Sequence, residues 1–263
     1  MSVQNDPLAP LLDLPGVAEA SGEAAEALAR AHRHKANLRG WPRNAGEASL
    51  RAARASAVLD GAGQQLEVTG RDGAAPDPIL AGSLRVAQAI EGGAGGTGGA
   101  GGGATAIVGT WRRAPLQALA RLHALAAVDL VDDDRLGRPG GDAGVGHRLE
   151  LLAGLVTGGT RVPAPVLAAV VHGELITLAP FGVADGVVAR AASRLVTIVT
   201  GLDPRGLGVP EVHWMRNSAE YRAAAGGFAS GTPEGLTAWL TLHCRALQAG
   251  AREALQIASA SSS

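Results

Sequence analysis

Apolar residues recur at helical spacing along most of the chain. Ala24, Leu28 and Ala31 are three or four positions apart, as are the leucines between Trp111 and Val128, and residues spaced in this way lie on one face of an α-helix. This pattern and its breaks predict helices over residues 22–36, 47–59, 79–90, 111–128, 147–155, 165–175 and 186–201, and another that starts at Thr232-Pro233-Glu234. No long alternation of apolar and polar residues indicates a sheet, so we predict a mainly α fold.

The segment 186–201 is the best candidate for a helix enclosed by the others. Its residues Val187, Ala191, Leu195 and Ile198 form one apolar stripe, and a helix with so much apolar surface needs neighbours that cover it. We therefore expect a helical bundle around a central buried helix, with an N-terminal helical extension.

Breaks in composition predict the domain organisation. We expect a leader and helix over residues 1–44, one helical domain over 45–257 and a disordered tail over 258–263. Residues 92–103 contain nine glycines in twelve positions, which predicts a flexible insert of low complexity within the domain.

The net charge and the lengths of the apolar runs indicate which classes of binding partner to expect. The formal net charge of −1 provides no electrostatic footprint for nucleic acid, and no apolar run is long enough to span a bilayer. We therefore expect neither nucleic acid nor a membrane as a partner. The first ten residues lack the pattern of a signal peptide, and the single cysteine, Cys244, excludes an intrachain disulfide. These features predict a cytoplasmic protein.

A loop that leads into the 186–201 helix carries the most informative motif. Pro180, Phe181, Gly186 and Arg190 occupy the positions of a known pattern, His-Pro-Phe-x-Asp/Glu-Gly-Asn-Gly-Arg-x-x-Arg. The loop therefore resembles the signature of the Fic (Fido) family, which lies between two helices. The resemblance implies a Fic-like helical bundle.

Two weaker matches accompany the signature in the expected order along the chain. Ser56, Asp60 and Gly61 resemble the family's inhibitory helix motif, Ser/Thr-x-x-x-Glu-Gly/Asn, with aspartate in place of glutamate. The segment Glu220-Tyr221-Arg222 and the helix that contains Trp239 resemble its C-terminal helices. The resemblance covers residues 45–255 without the glycine insert.

Departures from the signature decide what the resemblance implies about function. Members of the family transfer a nucleotide monophosphate, usually AMP from ATP, to a hydroxyl group of a protein. Ala179 occupies the position of the signature histidine, which acts as the base, and its methyl group cannot accept a proton. Val183 replaces the acidic magnesium ligand, and Val187 replaces the first arginine. The resemblance therefore implies a pseudoenzyme without a metal, to which ATP and magnesium would bind only if the pocket is still competent.

Part of an anion pocket is nevertheless expected. It comprises Pro180, Phe181, Asp185, Gly186 and Arg190, because a helix N-terminus and a guanidinium group both favour negative charge. Asp185 stands where the family has asparagine, and its carboxylate would repel a phosphate. We therefore expect weak or no binding of a triphosphate.

The inhibitory motif adds a specific contact to this expectation. In the family, the inhibitory acid pairs with the second signature arginine, and the matching residues here are Asp60 and Arg190. A carboxylate and a guanidinium group can form a charge-assisted contact. We hypothesise that the pair is kept as a structural clamp.

Three functions follow from these observations. The first is a non-catalytic module that binds an unidentified protein partner or a nucleotide. The second is a transferase that moves a phosphate-containing group to a protein hydroxyl through Asp185, Arg190 and His172 as a substitute base. The third is an oxidoreductase, which rests only on a Gly-x-Gly-x-x-Gly match over residues 93–98. That match has neither a preceding strand nor an acid at the required distance, so it carries almost no weight.

Overall fold

A computed structural model describes residues 6–63, 77–94, 104–141 and 143–261. These residues form twelve α-helices and no strand, which confirms the mainly α prediction. The helices are α1 (Val17–Arg33), α2 (Lys35–Arg39), α3 (Trp41–Leu59), α4 (Pro78–Ala94), α5 (Ala104–Arg113), α6 (Pro115–Ala127), α7 (Ala143–Gly154), α8 (Ala164–Leu178), α9 (Asp185–Val199), α10 (Pro210–Arg216), α11 (Ser218–Ser230) and α12 (Pro233–Ala260).

Helix α9 is the central buried helix that the sequence predicts. Its residues from Val187 to Ser193 are all buried, and it packs against α3, α4, α5, α6 and α8. Helix α8 is apolar apart from His172, Glu174 and Thr177 and is also largely buried, as expected for a helix without a broad solvent-facing stripe. These two helices form the core, and the loop that joins them carries the signature-like residues.

The N-terminal helix α1 packs along α12 through small residues. Ala24, Ala27 and Leu28 contact Leu247 and Ala251 in one buried apolar cluster.

The next long helix, α3, begins at residue 41 and not at 47 as predicted. The proline at position 42 lies in its first turn, where a missing N–H costs nothing. The expected domain boundary at residue 44 therefore falls inside a helix.

Pro115 divides the predicted helix over residues 111–128 into two helices. The segment 111–128 contains the end of α5 and all of α6, which are separated at Ala114 because Pro115 starts a new helix. A proline inside a helix would remove a hydrogen bond and clash with the preceding turn.

Helix α4 extends to Ala94, so the start of the predicted glycine insert is helical, while residues 95–103 lie outside the described part of the chain. The glycine match at 93–98 thus begins within the last residues of a helix, and a helix precedes it in place of the strand that a dinucleotide site requires.

The last helix begins as predicted and ends later than predicted. The Thr232 hydroxyl accepts a hydrogen bond from the Gly235 amide at 3.2 Å, so the threonine caps α12. Residues 258–260 belong to the helix and Ala258 is fully buried, so the predicted tail starts too early; residues 262–263 are not among those described. None of the helices in the described ranges has the length and apolarity needed to cross a membrane.

Candidate functional site

The loop between α8 and α9 has an unusual backbone. Ala179 (φ 42°) and Ala184 (φ 57°) lie in the left-handed region, and they are the only non-glycine residues with positive φ in the described part of the chain. This conformation costs an alanine about 1–2 kcal/mol. The Ala179 amide donates to the Leu175 carbonyl at 3.0 Å and so ends α8. Strain of this kind often marks a functional loop, which makes residues 179–187 the natural place to look for a site.

Two contacts from α6 and the segment after it support this loop. The Phe181 ring stacks on the His123 imidazole with 4.2 Å between ring centroids, and the Pro180 carbonyl accepts from the Gly140 amide at 2.8 Å. His123 Nδ1 in turn accepts from the Gly137 amide at 2.9 Å. Burial lowers the pKa of His123, which keeps the ring neutral. Sequence reasoning missed His123, although its place within the apolar pattern of α6 was a signal of burial.

Asp185 turns its carboxylate back into the loop. Its Oδ1 accepts a hydrogen bond from the Phe181 amide at 2.9 Å. Burial raises the pKa of Asp185 above its ordinary value, the amides of Phe181 and Gly182 oppose this shift, and the negative charge of Asp60 raises the pKa further. Asp185 therefore occupies backbone donors that the loop could otherwise offer to an anion.

The Asp60 carboxylate occupies the N-terminus of α9 in a similar way. Its Oδ2 accepts from the Val187 amide at 3.0 Å, and its Oδ1 accepts from Arg190 Nη2 at 2.5 Å. The approach depends on Gly186, because a Cβ atom at that position would lie 2.3 Å from Asp60 Oδ1. Asp60 thus contacts both groups, an amide and a guanidinium, that an external anion would require.

Arg190 is buried and fully engaged by protein atoms. Only 2% of it is exposed. Its Nε donates to the Ser56 hydroxyl at 2.8 Å, its Nη2 donates to the Ser56 carbonyl at 3.0 Å, and its Nη1 donates to the Tyr221 hydroxyl at 3.4 Å. Burial alone would lower the pKa of Arg190, but the charge of Asp60 outweighs it and raises the pKa, so the group stays cationic. Ser56 lies on α3 and Asp60 is the C-cap of that helix. Gly61 follows with a φ of 98°, which suits a helix terminus.

His172 lies in the core behind Arg190. It is fully buried, its Nε2 pairs with the Tyr221 hydroxyl at 2.8 Å, and its ring contacts those of Trp214, Trp239 and His243. Burial and the nearby charges of His243 and Arg190 hold the pKa of His172 well below its usual range. It lines no part of the cleft described next, so the geometry gives its proposed role as a substitute base no support.

A cleft of about 440 Å³ opens in front of the loop and the start of α9. Its described lining is mostly apolar: Ile79, Ala126, Leu130, Ile176, Val183 and Val187. Asp60 is the only charged residue in that lining, and neither Arg190 nor Ala179 reaches it. In the described part of the chain, no group of three or more His, Cys, Asp or Glu residues could hold a metal ion. The size and apolar character are typical of a site for a small ligand.

The structure thus brings together most of the residues that the sequence pointed to. Ser56, Asp60, Gly186 and Arg190 meet at the start of α9, beside Phe181 and Asp185 of the loop.

Comparisons with known proteins agree with this architecture. The structure is similar to the crystal structure of a Fic family protein from Desulfovibrio desulfuricans G20, with a TM-score of 0.65 and 18% sequence identity. The match covers 92% of this chain and 74% of the other. No family model and no curated protein matches the sequence. The chain therefore has the Fic fold, as the signature-like loop suggested.

Proposed function

We propose that this chain is a non-catalytic binding module built on the Fic fold and that it does not transfer nucleotides. The observation that carries the proposal is the replacement of the base, the metal ligand and the first arginine by Ala179, Val183 and Val187. The Asp60 carboxylate, which accepts from the Val187 amide and pairs with Arg190, supports it. These donors are the ones that a phosphate group would need at a helix N-terminus. A covalently attached competitor for them is always present at high effective concentration.

Three replacements in the loop support the same proposal. Ala179 provides no base, and a positioned base is worth roughly 10²–10⁴ in rate. Val183 and Val187 line the cleft where the resemblance implies a magnesium ligand and a phosphate-binding arginine. Hydrocarbon side chains offer neither an oxygen ligand to a hard cation nor a positive charge to a phosphate.

The transferase alternative depends on Asp185, Arg190 and His172. Asp185 is directed at the loop amides, Arg190 is enclosed, and His172 is buried among aromatic rings. None of the three presents a free acid, base or cation to the cleft. The geometry therefore favours binding over catalysis.

Titration calorimetry with ATP, ADP, AMP and NAD, each with and without magnesium, tests the proposal. We expect no binding tighter than millimolar to the natural sequence. The matched variants are Arg190→Ala and Arg30→Ala, since Arg30 is an arginine on the exposed surface. Micromolar, magnesium-dependent binding of ATP that Arg190→Ala abolishes and Arg30→Ala leaves intact would show that the anion site at α9 is open, which contradicts the role given to Asp60 and reopens the transferase alternative.

A further inference from the structure

We propose that the cleft at the start of α9 binds a small apolar molecule that carries a primary amine. This inference rests on the binding function proposed above and names the class of ligand for that site. Three features of the described residues support it: the lining of the cleft, the local balance of charge, and the remaining acceptor capacity of Asp60.

The apolar lining of the cleft favours a ligand that is itself mostly apolar. Helices α4, α6 and α8 contribute Ile79, Ala126 and Ile176, and the loop and α9 contribute Val183 and Val187. These side chains offer contact area and no hydrogen bond. A ligand gains about 25 cal/mol for each Å² of apolar surface that it buries there, whereas a polar ligand would lose hydration without compensation.

The charge balance selects a cation over an anion. Two carboxylates, Asp60 and Asp185, lie at the start of α9, and the guanidinium group of Arg190 pairs with Asp60. Arg190 is enclosed, so its charge is directed at Asp60 and not at the cleft. No cationic side chain is among the described residues that line the cleft. A ligand anion would therefore meet net repulsion, while a cation would relieve the repulsion between the carboxylates.

Asp60 can accept the amine directly. A carboxylate has about four lone-pair sites, and the two hydrogen bonds described above, from Val187 and Arg190, use one on each oxygen. The side chain is 18% exposed and lines the cleft. An ammonium group next to the apolar lining could therefore donate to Asp60 in a partly desolvated setting, where close charge pairs contribute clearly to affinity.

Two probes that differ in charge but share an apolar body test the inference: 1-naphthylmethylamine and 1-naphthoate. Titration at pH 7.5 is followed by calorimetry and by amide chemical shifts of residues 182–187. We expect the amine to bind about tenfold or more tightly than the carboxylate, which corresponds to one charge contact of roughly 1.4 kcal/mol. Equal affinities for the two probes, or no binding of the amine, would overturn the inference.

Substitutions at Val183 place the binding in the cleft without touching Asp60. Val183 is only partly buried and sits in the loop, so the matched variants Val183→Lys and Val183→Met should both fold. We expect Val183→Met to keep the preference for the amine and Val183→Lys to lose or reverse it. An unchanged preference in Val183→Lys would show that the amine binds elsewhere and would contradict the assignment.

The two proposals fail in different ways. Tight ATP binding to the natural sequence would contradict the occluded anion site of the proposed function, whatever the naphthyl probes do. An absence of both ATP and amine binding would leave the lack of nucleotide transfer intact and refute only the amine site.

Discussion

Two arginines one turn apart on α9 each pair with a carboxylate but have different surroundings; the Arg190 side chain is 2% exposed and that of Arg194 is 12% exposed. Arg194 donates to the Gly206 and Gly208 carbonyls at 3.2 and 2.9 Å and pairs with Glu211 at 3.1 Å, all within the enclosed segment after α9. Arg190 pairs with Asp60, which borders an open cleft. The two pairs differ in the exposure of the carboxylate, which is 5% for Glu211 and 18% for Asp60.

The Arg194 region also anchors the N-terminal helix. Asp203 accepts from the Leu207 and Gly208 amides at 2.9 and 2.8 Å and from His32 Nε2 at 2.7 Å. These contacts tie α1 to the segment that holds Arg194. We therefore treat the Arg194 region as structural and the Arg190 region as the part that can respond to a ligand.

The largest expected effect on stability comes from breaking the ion pair between Arg194 and Glu211. Arg194→Ala leaves the Glu211 carboxylate buried without its partner, and removal of one member of a buried ion pair costs about 3–5 kcal/mol. Urea unfolding measures the loss. Arg30→Ala, which breaks an exposed pair with Glu26, should cost less than about 0.5 kcal/mol. A similar small effect for both variants would mean that the Arg194 pair is not structural.

The second prediction concerns the pH dependence of the free energy of unfolding. Burial lowers the pKa of His243 from 6.5 to about 3, and the pKa of His172 shifts in the same direction. Both histidines lie beside the Arg190 region, where His243 Nε2 pairs with the Ser193 hydroxyl at 3.2 Å. Below pH 6.5 the unfolded chain takes up protons that the folded chain does not. The free energy of unfolding should therefore fall as the pH is lowered, by about 2 kcal/mol between pH 6.5 and 4.5 for His243 alone.

Asp203 acts in the same sense as His243 but in a more acidic range. Burial alone would raise the pKa of Asp203, but the hydrogen bond and charge of His32 hold it below 3.8, so its contribution is lost only in stronger acid. Urea unfolding at pH 6.5, 5.5 and 4.5 should show a shallower slope for His243→Phe than for the natural sequence. An equal slope would assign the acid sensitivity to other groups.

The third prediction concerns Gly186 and tests the approach of Asp60. Gly186→Ala should displace the Asp60 carboxylate and destabilise the fold by about 2 kcal/mol, the range for a hydrogen bond to a charged group. In an Asp60→Ala background the same change should cost almost nothing, because the clashing atom is gone. Additive effects in this double-mutant cycle would contradict the geometry. Gly226→Ala on α11, where a Cβ meets no atom within 4 Å, is the matched control and should be neutral or stabilising.

The smallest predicted effect is a gain in stability. Ala184→Gly should relieve the left-handed strain of about 1–2 kcal/mol, less the entropy that glycine adds to the unfolded chain, for a net gain of about 0.5 kcal/mol. Ala223→Gly on the exposed side of α11 should instead cost close to 1 kcal/mol. Thermal unfolding distinguishes the two signs. A loss at position 184 would mean that the loop backbone is unstrained.

Helical periodicity was sufficient to predict the helical architecture and its centre. Local apolar spacing identifies α9, and a capping hydroxyl followed by proline identifies the start of α12. The errors have local causes: Pro42 and Pro115 begin helices that the sequence analysis placed differently. A proline disfavours the interior of a helix but suits its first turn, so the same residue can be interpreted as a break or as a start.

The site was harder to predict because its contacts are long-range. Asp60 and Arg190 are 130 residues apart, and only the family resemblance put them together. The stacking of Phe181 on His123 and the inward turn of Asp185 depend on packing between elements, which no local pattern records. Sequence reasoning expected Asp185 to repel a phosphate, whereas the structure shows its carboxylate held by the Phe181 amide.

The central claim, that Asp60 holds the anion position at the start of α9, is tested most directly by titrating inorganic pyrophosphate into the natural protein and into Asp60→Ala. The account predicts no binding to the natural protein and weak, salt-sensitive binding to Asp60→Ala, because the Val187 amide and Arg190 are then free to accept an external anion. Equal affinity for both proteins, or binding to the natural protein alone, would contradict the account.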